Sequence, residues 1–413
     1  MFRLGSILAI IALSMNVFAL LPTDIIHQRF LLTDVGLLLA VTLVIAGVVS
    51  GNIIWSDFFK GAGLLITIFL CYLLFQIALA SFNYNQSILS GFIGSRHQLY
   101  YLCYFVFLAY LRTPSDYYHF IGILSYVATA VIVISIINYM FPVFFHHKWA
   151  SGHGERTGTV RAFIPAMMLV SFIAIWEGAK WIEGEQSMAA RTKVAFFLAA
   201  HLFRQTRSRL IGVILSYSAM FIIRRKFVHV VGIFFLALVG TLYLAVTEKE
   251  SQWMTLLTSS YSDIAEGSGS WRARQVQIKY AMEEFFRNPL IGSGSVALRP
   301  EYADTDLSAI GVAVLVQKAD LGYVHFLKSY GAIGIIWLFA FCVILLLKSH
   351  RLFNSRNSQI RLMGLFSLAY IFYVIITAIT INHFMHVDGI ILLMLLAALL
   401  VRVSENEKLR PTL

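Results

Sequence analysis

Charge is what this sequence has least of. Asp, Glu, Lys and Arg make up 13% of its 413 residues, while 59% are hydrophobic. A soluble domain carries about 25% charged residues, because its surface must face water. The shortfall excludes an ordinary water-soluble domain. Cysteine is scarce as well. The three present, Cys71, Cys103 and Cys342, are an odd number and each lies inside an apolar run, which excludes a disulfide framework. Short alternating strands are missing, and with them a closed barrel. Helix remains as the structure that satisfies its own backbone in lipid. There is no P-loop, no dinucleotide fingerprint and no Gly-x-Ser-x-Gly, so nucleotide hydrolysis does not power this chain. Metal ligands are also short. Asp304-Thr305-Asp306 stands alone, and His383 and His386, one helical turn apart, have no third partner. No metal and no cofactor are expected. The sequence holds no internal repeat and no low-complexity tract.

What it does hold is long apolar runs near the ~20 residues that cross a bilayer as helix. They fall near residues 4–21, 34–50, 61–80, 98–111, 119–141, 162–179, 193–204, 208–223, 229–246, 326–347, 362–380 and 387–403, about twelve in all. The first, after Arg3, is read as an uncleaved span rather than a signal peptide. The predicted class is therefore all-α, a polytopic integral membrane protein. Residues 1–246 carry nine spans, 247–325 form one long loop, and 326–413 carry three spans and a tail. With the N-terminus in the cytoplasm, Lys60, Arg112, Lys180, Arg224, Arg361 and Arg402 fall on the cytoplasmic side, as the positive-inside bias requires. The formal charge of +11 then reads as basic membrane surface, not as a nucleic-acid footprint.

The loop is longer than a passive connection needs to be. From Arg272 to Asn288, apolar residues recur at Ile278, Met282 and Phe285, with Ala281 and Phe286 beside them. That pattern predicts an amphipathic helix, ended by Asn288-Pro289. Gly292 and Gly294 predict a turn, and the run Ile310–Val316 is too short to span.

Five arginines fall on the loop's side of the membrane: Arg161, Arg207 and Arg209 at the starts of spans, and Arg272 and Arg274 at the start of the loop helix. Charge beside the apolar layer is expensive and faces a cavity or a partner. Guanidinium forks suit phosphate oxygens, so the set points to a phosphate or diphosphate ligand; the alternative is snorkelling to lipid headgroups. At the loop's far end, Asp320 and His325 are both candidate proton acceptors.

These residues carry a resemblance. Ser208-Arg209 at the start of a span, Arg274 followed by Asn288-Pro289-Leu290-Ile291-Gly292-Ser293-Gly294, and Tyr323 followed by Gly331 and Gly334 resemble, in order, the O-antigen polymerase and O-antigen ligase superfamily. The resemblance implies a GT-C-like membrane glycosyltransferase acting on undecaprenyl-diphosphate-linked oligosaccharides at the periplasmic face of the bacterial inner membrane. It implies that Arg209 and Arg274, with Arg161, Arg207 and Arg272, hold the diphosphate. Asp320 or His325 then takes the acceptor proton, and Tyr323 and Arg299 lie on the acceptor side or lid. A chain-length regulator and a flippase are the implied partners. Counting back from Gly331, Asp320 and Leu321 stand where the family has His and Asn. That departure favours polymerase over the ligase alternative. A transporter of lipid-linked or anionic substrates and a non-catalytic assembly factor are the readings from other classes.

Overall fold

The computed structural model describes residues 2–15, 17, 29–141, 164–184, 187–204, 207–229, 231–232, 269–294 and 321–408. Among these residues there is helix and no strand. In chain order the helices are α1 (Phe2–Ser14), α2 (Arg29–Val49), the short α3 (Trp55–Phe59), α4 (Gly61–Tyr84) and α5 (Ile88–Ser95). A 3-10 segment, Arg96–Leu102, leads into α6 (Cys103–Tyr110), followed by α7 (Pro114–Met140), α8 (Met167–Glu183), α9 (Met188–Arg204) and α10 (Arg207–Ile223). The loop helix is α11 (Gly269–Arg287), and α12 (Gly322–Phe353), α13 (Ser358–Thr377) and α14 (Val387–Lys408) complete the set.

Six stretches within α2, α4, α7, α12, α13 and α14 are long and apolar enough to cross a bilayer. Leu4–Ser14 and Ser208–Ile223 are shorter apolar helices. In the runs expected near 98–111, 162–179 and 193–204 the described residues are largely helical, but within elements of 7 to 17 residues. The run at 229–246 lies almost wholly outside the described residues. This is a multi-pass membrane protein in its described part.

The last helix is the central post. In the spanning window of α14, 89% of residues are buried by other helices, against 22% for α2. Its run from Ile390 to Leu400 is apolar on every side, which suits a helix surrounded by helices. α6, the 3-10 segment, α12, α7 and α8 pack around it. α2 instead turns Leu38 and Val49 outward, as a helix facing lipid does.

Helix ends sort as the charge bias requires. Glu183, ending α8, takes Arg224 from the end of α10 at 2.6 Å and Arg361 from the start of α13 at 3.1 Å. Arg402 of α14 donates to the Leu108 carbonyl, at 3.1 Å through Nε and 3.0 Å through a terminal nitrogen. Thus Arg224, Arg361 and Arg402 lie at one end of the bundle, the end where α13 begins and α14 finishes. Glu183→Ala leaves two guanidiniums without their carboxylate. Because both are partly exposed, the loss should be about 1–3 kcal/mol, less than for a fully buried pair. Thermal unfolding in detergent reads it, and an unchanged midpoint would show the network to be inert.

The loop helix α11 buries Gln277, Ala281 and Glu284, a stripe at helical spacing. Phe286, expected beside the apolar face, is 70% exposed, because it lies off that stripe.

Candidate functional site

The loop is fastened to the membrane helices by backbone chemistry. α12 is broken at Gly331, whose φ of 62° and ψ of −164° are not helical. A break frees carbonyls on one side and N–H groups on the other, and lipid can satisfy neither. The turn Asn288–Gly294 supplies the partners. Ser293 and Gly294 donate their N–H groups to the carbonyls of Lys328 and Ser329 at 2.9 and 3.1 Å. Ala332 and Ile333 donate to Pro289 and Leu290 at 2.9 and 3.1 Å. From α4, the Tyr72 hydroxyl donates to the Tyr330 carbonyl at 2.8 Å, and the Gln76 amide to that of Ile291 at 2.6 Å. The approach needs bare backbone. A Cβ on Gly331 would sit 2.4 Å from the Leu290 oxygen, and one on Gly292 (φ 73°) would sit 2.6 Å from Ser329.

This plug sets the loop helix against α12. Lys328, buried, holds its ammonium 4.6 Å from the centroid of the Tyr280 ring on α11, with Glu284 of the same helix acting on its charge. Arg274 stands one turn before Gln277, continuing the buried stripe of α11, yet its own side chain is exposed. It is carried on the inward face where that face runs past its covering.

A second cluster surrounds Arg209, half-buried in the first turn of α10. Gly212, one turn on, lets α10 press against α13: a Cβ there would be 2.4 Å from Thr377 Cγ2 and 2.9 Å from the Tyr373 ring. The Arg209 charge is felt by His201 on α9, Tyr373 on α13, and His383 and Asp388 around the start of α14. His201 donates from Nδ1 to the Phe197 carbonyl at 2.8 Å, and its Nε2 lies 2.9 Å from the Ser171 hydroxyl, which is also 3.0 Å from the Met167 carbonyl. His383 lies in the connection between α13 and α14 but is fully buried. Its Nε2 is 2.7 Å from the Thr377 hydroxyl. Burial, then the positive charge of Arg209 and the nearby His386, push its pKa down to about 3. Among the described residues no carboxylate lies within 4.0 Å of Arg209. The arrangement is a guanidinium beside hydrogen-bonding groups, His201, Tyr373 and His383, with one carboxyl, Asp388, acting on it from the start of α14, and such a fork suits an anion.

Of the residues singled out from the sequence, Arg209 lies in this cluster and Arg274 on the loop helix. Tyr323 is half-buried at the start of α12, where its N–H donates to the Ala378 carbonyl at 2.9 Å and its hydroxyl to that of Ile375 at 2.8 Å. It is thus built into the α12–α13 contact. His325 is half-buried on the first half of α12. Arg207 and Arg272 lie on helix backbone without described side chains, and Arg161, Arg299 and Asp320 lie outside the described residues, as do Asp304, Asp306 and the run Ile310–Val316. His201, Tyr373, Thr377 and Asp388 were not singled out. For Asp388 the one sequence signal is the polar density of Asn382-His383-Phe384-Met385-His386-Val387-Asp388 between two apolar spans; the other three lie inside apolar runs or at their ends and carry none. The chain matches no protein-family model and no curated protein.

Proposed function

We propose that the chain is a membrane glycosyltransferase that joins polyprenyl-diphosphate-linked oligosaccharide repeat units into an O-antigen or similar surface polysaccharide, on the periplasmic face of the inner membrane. The observation that carries this reading is Arg209: a half-buried cation with no carboxylate within 4.0 Å among the described residues, set near the hydrogen-bonding side chains of His201, Tyr373 and His383, with the buried Asp388 acting on it from the start of α14. Arg274, on a loop helix fastened to the bundle through the Gly331 break, supports it. About twelve spans in a GT-C-like arrangement belong to the same proposal.

In the reaction the acceptor sugar's hydroxyl oxygen bonds to the donor's anomeric carbon. The bond from that carbon to the diphosphate breaks, and the electron pair leaves with the diphosphate. Arg209 and Arg274, with Arg161, Arg207 and Arg272 as further candidates, neutralise the charge that builds on the leaving group, and this charge stabilisation is the principal source of rate. The acceptor proton passes to a base, for which the sequence offers Asp320 and His325. Tyr323 and Arg299 are proposed on the acceptor side or lid. The loop excludes water, favouring transfer over hydrolysis. The donor is undecaprenyl-diphosphate-linked; a flippase supplies it and a chain-length regulator acts on the product.

Lipopolysaccharide from a strain lacking the gene tests the reading. Single repeats attached to the lipid A core support polymerase. Complete absence of attached polymer points to ligase instead, and unchanged polymer length contradicts both.

A further inference from the structure

Two observations meet at His383. The first is the hydrogen bonding of its Nε2, from which the tautomer is inferred. The Thr377 hydroxyl has one proton and donates it to the Tyr373 carbonyl at 2.7 Å. Its contact with His383 Nε2, also 2.7 Å, is then one in which the ring N–H donates. Nδ1 is left as the lone pair. The second is that this Nδ1 is buried and has no hydrogen-bond partner. An unmet buried acceptor costs about 1–3 kcal/mol, and such a group calls for an explanation. A lone-pair nitrogen, oriented by a partner on its far side and set beside the cation that would bind the leaving group, has the build of a general base.

We infer that His383 takes the acceptor hydroxyl's proton at Nδ1, directly or through one water, with Thr377 as the positioning residue that holds its tautomer. This rests on the reading of Arg209 as the diphosphate site. The proton moves to Nδ1 as the acceptor oxygen bonds to the anomeric carbon, and returns to solvent once the diphosphate has left. The charged and titratable groups acting on the ring are Arg209 from α10 and His386 in the same connection, and Tyr373 of α13 packs edge-on against it, 5.6 Å between centroids and 73° between planes. In the free protein, burial and the Arg209 charge hold the imidazole neutral well below the ordinary histidine range. An anionic diphosphate on Arg209 offsets that charge, so donor binding raises the basicity of the ring at the moment it is needed.

The test uses the full-length protein in nanodiscs with undecaprenyl-diphosphate-linked repeat units. His383→Ala should bind undecaprenyl diphosphate as the wild type does, yet extend chains about 10²–10⁴-fold more slowly. Added imidazole should restore part of the rate, a recovery that a purely structural loss would not show. Full turnover by His383→Ala overturns the inference. Should that variant fail to fold, the wild-type imidazole decides by nitrogen NMR: with undecaprenyl diphosphate bound it should titrate at higher pH than in the free protein, and no movement overturns the inference. Failure of the wild type to bind undecaprenyl diphosphate contradicts the Arg209 reading itself, a result separate from either.

Discussion

Arg209→Ala should reduce chain extension by about 10²–10³-fold, the usual cost of removing one donor aimed at developing charge in a water-poor site. The site explains why the loss should be large. Among the described residues acting on His201, Tyr373, His383 and Asp388, the only other basic group is His386, whose imidazole lacks the planar fork of a guanidinium. The effect should fall on kcat as well as on donor binding, because the leaving diphosphate carries more charge in the transition state than in the bound donor. Arg209→Lys should recover only part of the rate: the ammonium restores the charge but not the planar fork that meets two oxygens at once. Initial rates on lipid-linked repeat units, at saturating and limiting donor, separate the two contributions. An alanine variant within a factor of two of wild type would remove Arg209 from the mechanism, and the flanking polar groups would then be packing only.

The second large effect is on the fold. Gly331→Ala should lower stability by more than about 3 kcal/mol, combining the cost of a left-handed backbone with a hard overlap. The overlap cannot be relieved by a rotamer change. The new Cβ meets the Leu290 oxygen at 2.4 Å and the Gly292 nitrogen at 2.5 Å, and both are backbone. Either α12 straightens and expels the turn, or the turn withdraws and leaves four carbonyl and N–H groups of α12 unpaired in a low-dielectric layer. Both routes uncouple α11, and Arg274 with it, from the bundle. Amide exchange reports this directly: Ala332 and Ile333, bonded to Pro289 and Leu290, should lose protection. Gly122→Ala is the comparison, because a Cβ at Gly122 in α7 meets nothing within 4 Å and alanine favours helix by about 1 kcal/mol. Equal melting of the two variants would mean that the plug contributes little.

Much of this architecture could be read from the sequence. Apolar run length gave α2, α4, α7, α12, α13 and α14 within a few residues, because lipid imposes a length on a spanning helix. Basic residues gave the common end shared by Arg224, Arg361 and Arg402, because charge stays out of the apolar layer. The loop helix was legible from its spacing, and Asn288-Pro289 ended it because proline cannot continue a helix. Arg209 was legible as a charge placed where charge is costly.

The remainder was hidden for identifiable reasons. The docking of Asn288–Gly294 into the Gly331 break is made of backbone hydrogen bonds, which leave no side-chain period to read. Gly331 and Gly334, at the start of a span, read equally well as an ordinary close-packing pair. The central place of α14 was hidden because a helix facing lipid and a helix facing other helices are both apolar all round. His383 was read with His386 as a histidine pair lacking a third metal ligand, and nothing in that spacing shows that the ring is fully buried against Thr377. Sequence spacing shows which residues share a helix face. It does not show that Gly212 lets a neighbouring helix close onto Thr377 and so brings Arg209 to His383.

The most direct measurement is chain extension by the purified protein in liposomes supplied with undecaprenyl-diphosphate-linked repeat units and no other protein. The account predicts a ladder of lipid-linked products with release of undecaprenyl diphosphate, abolished by Arg209→Ala. Movement of the intact lipid-linked unit across the bilayer with no glycosidic bond formed would contradict it.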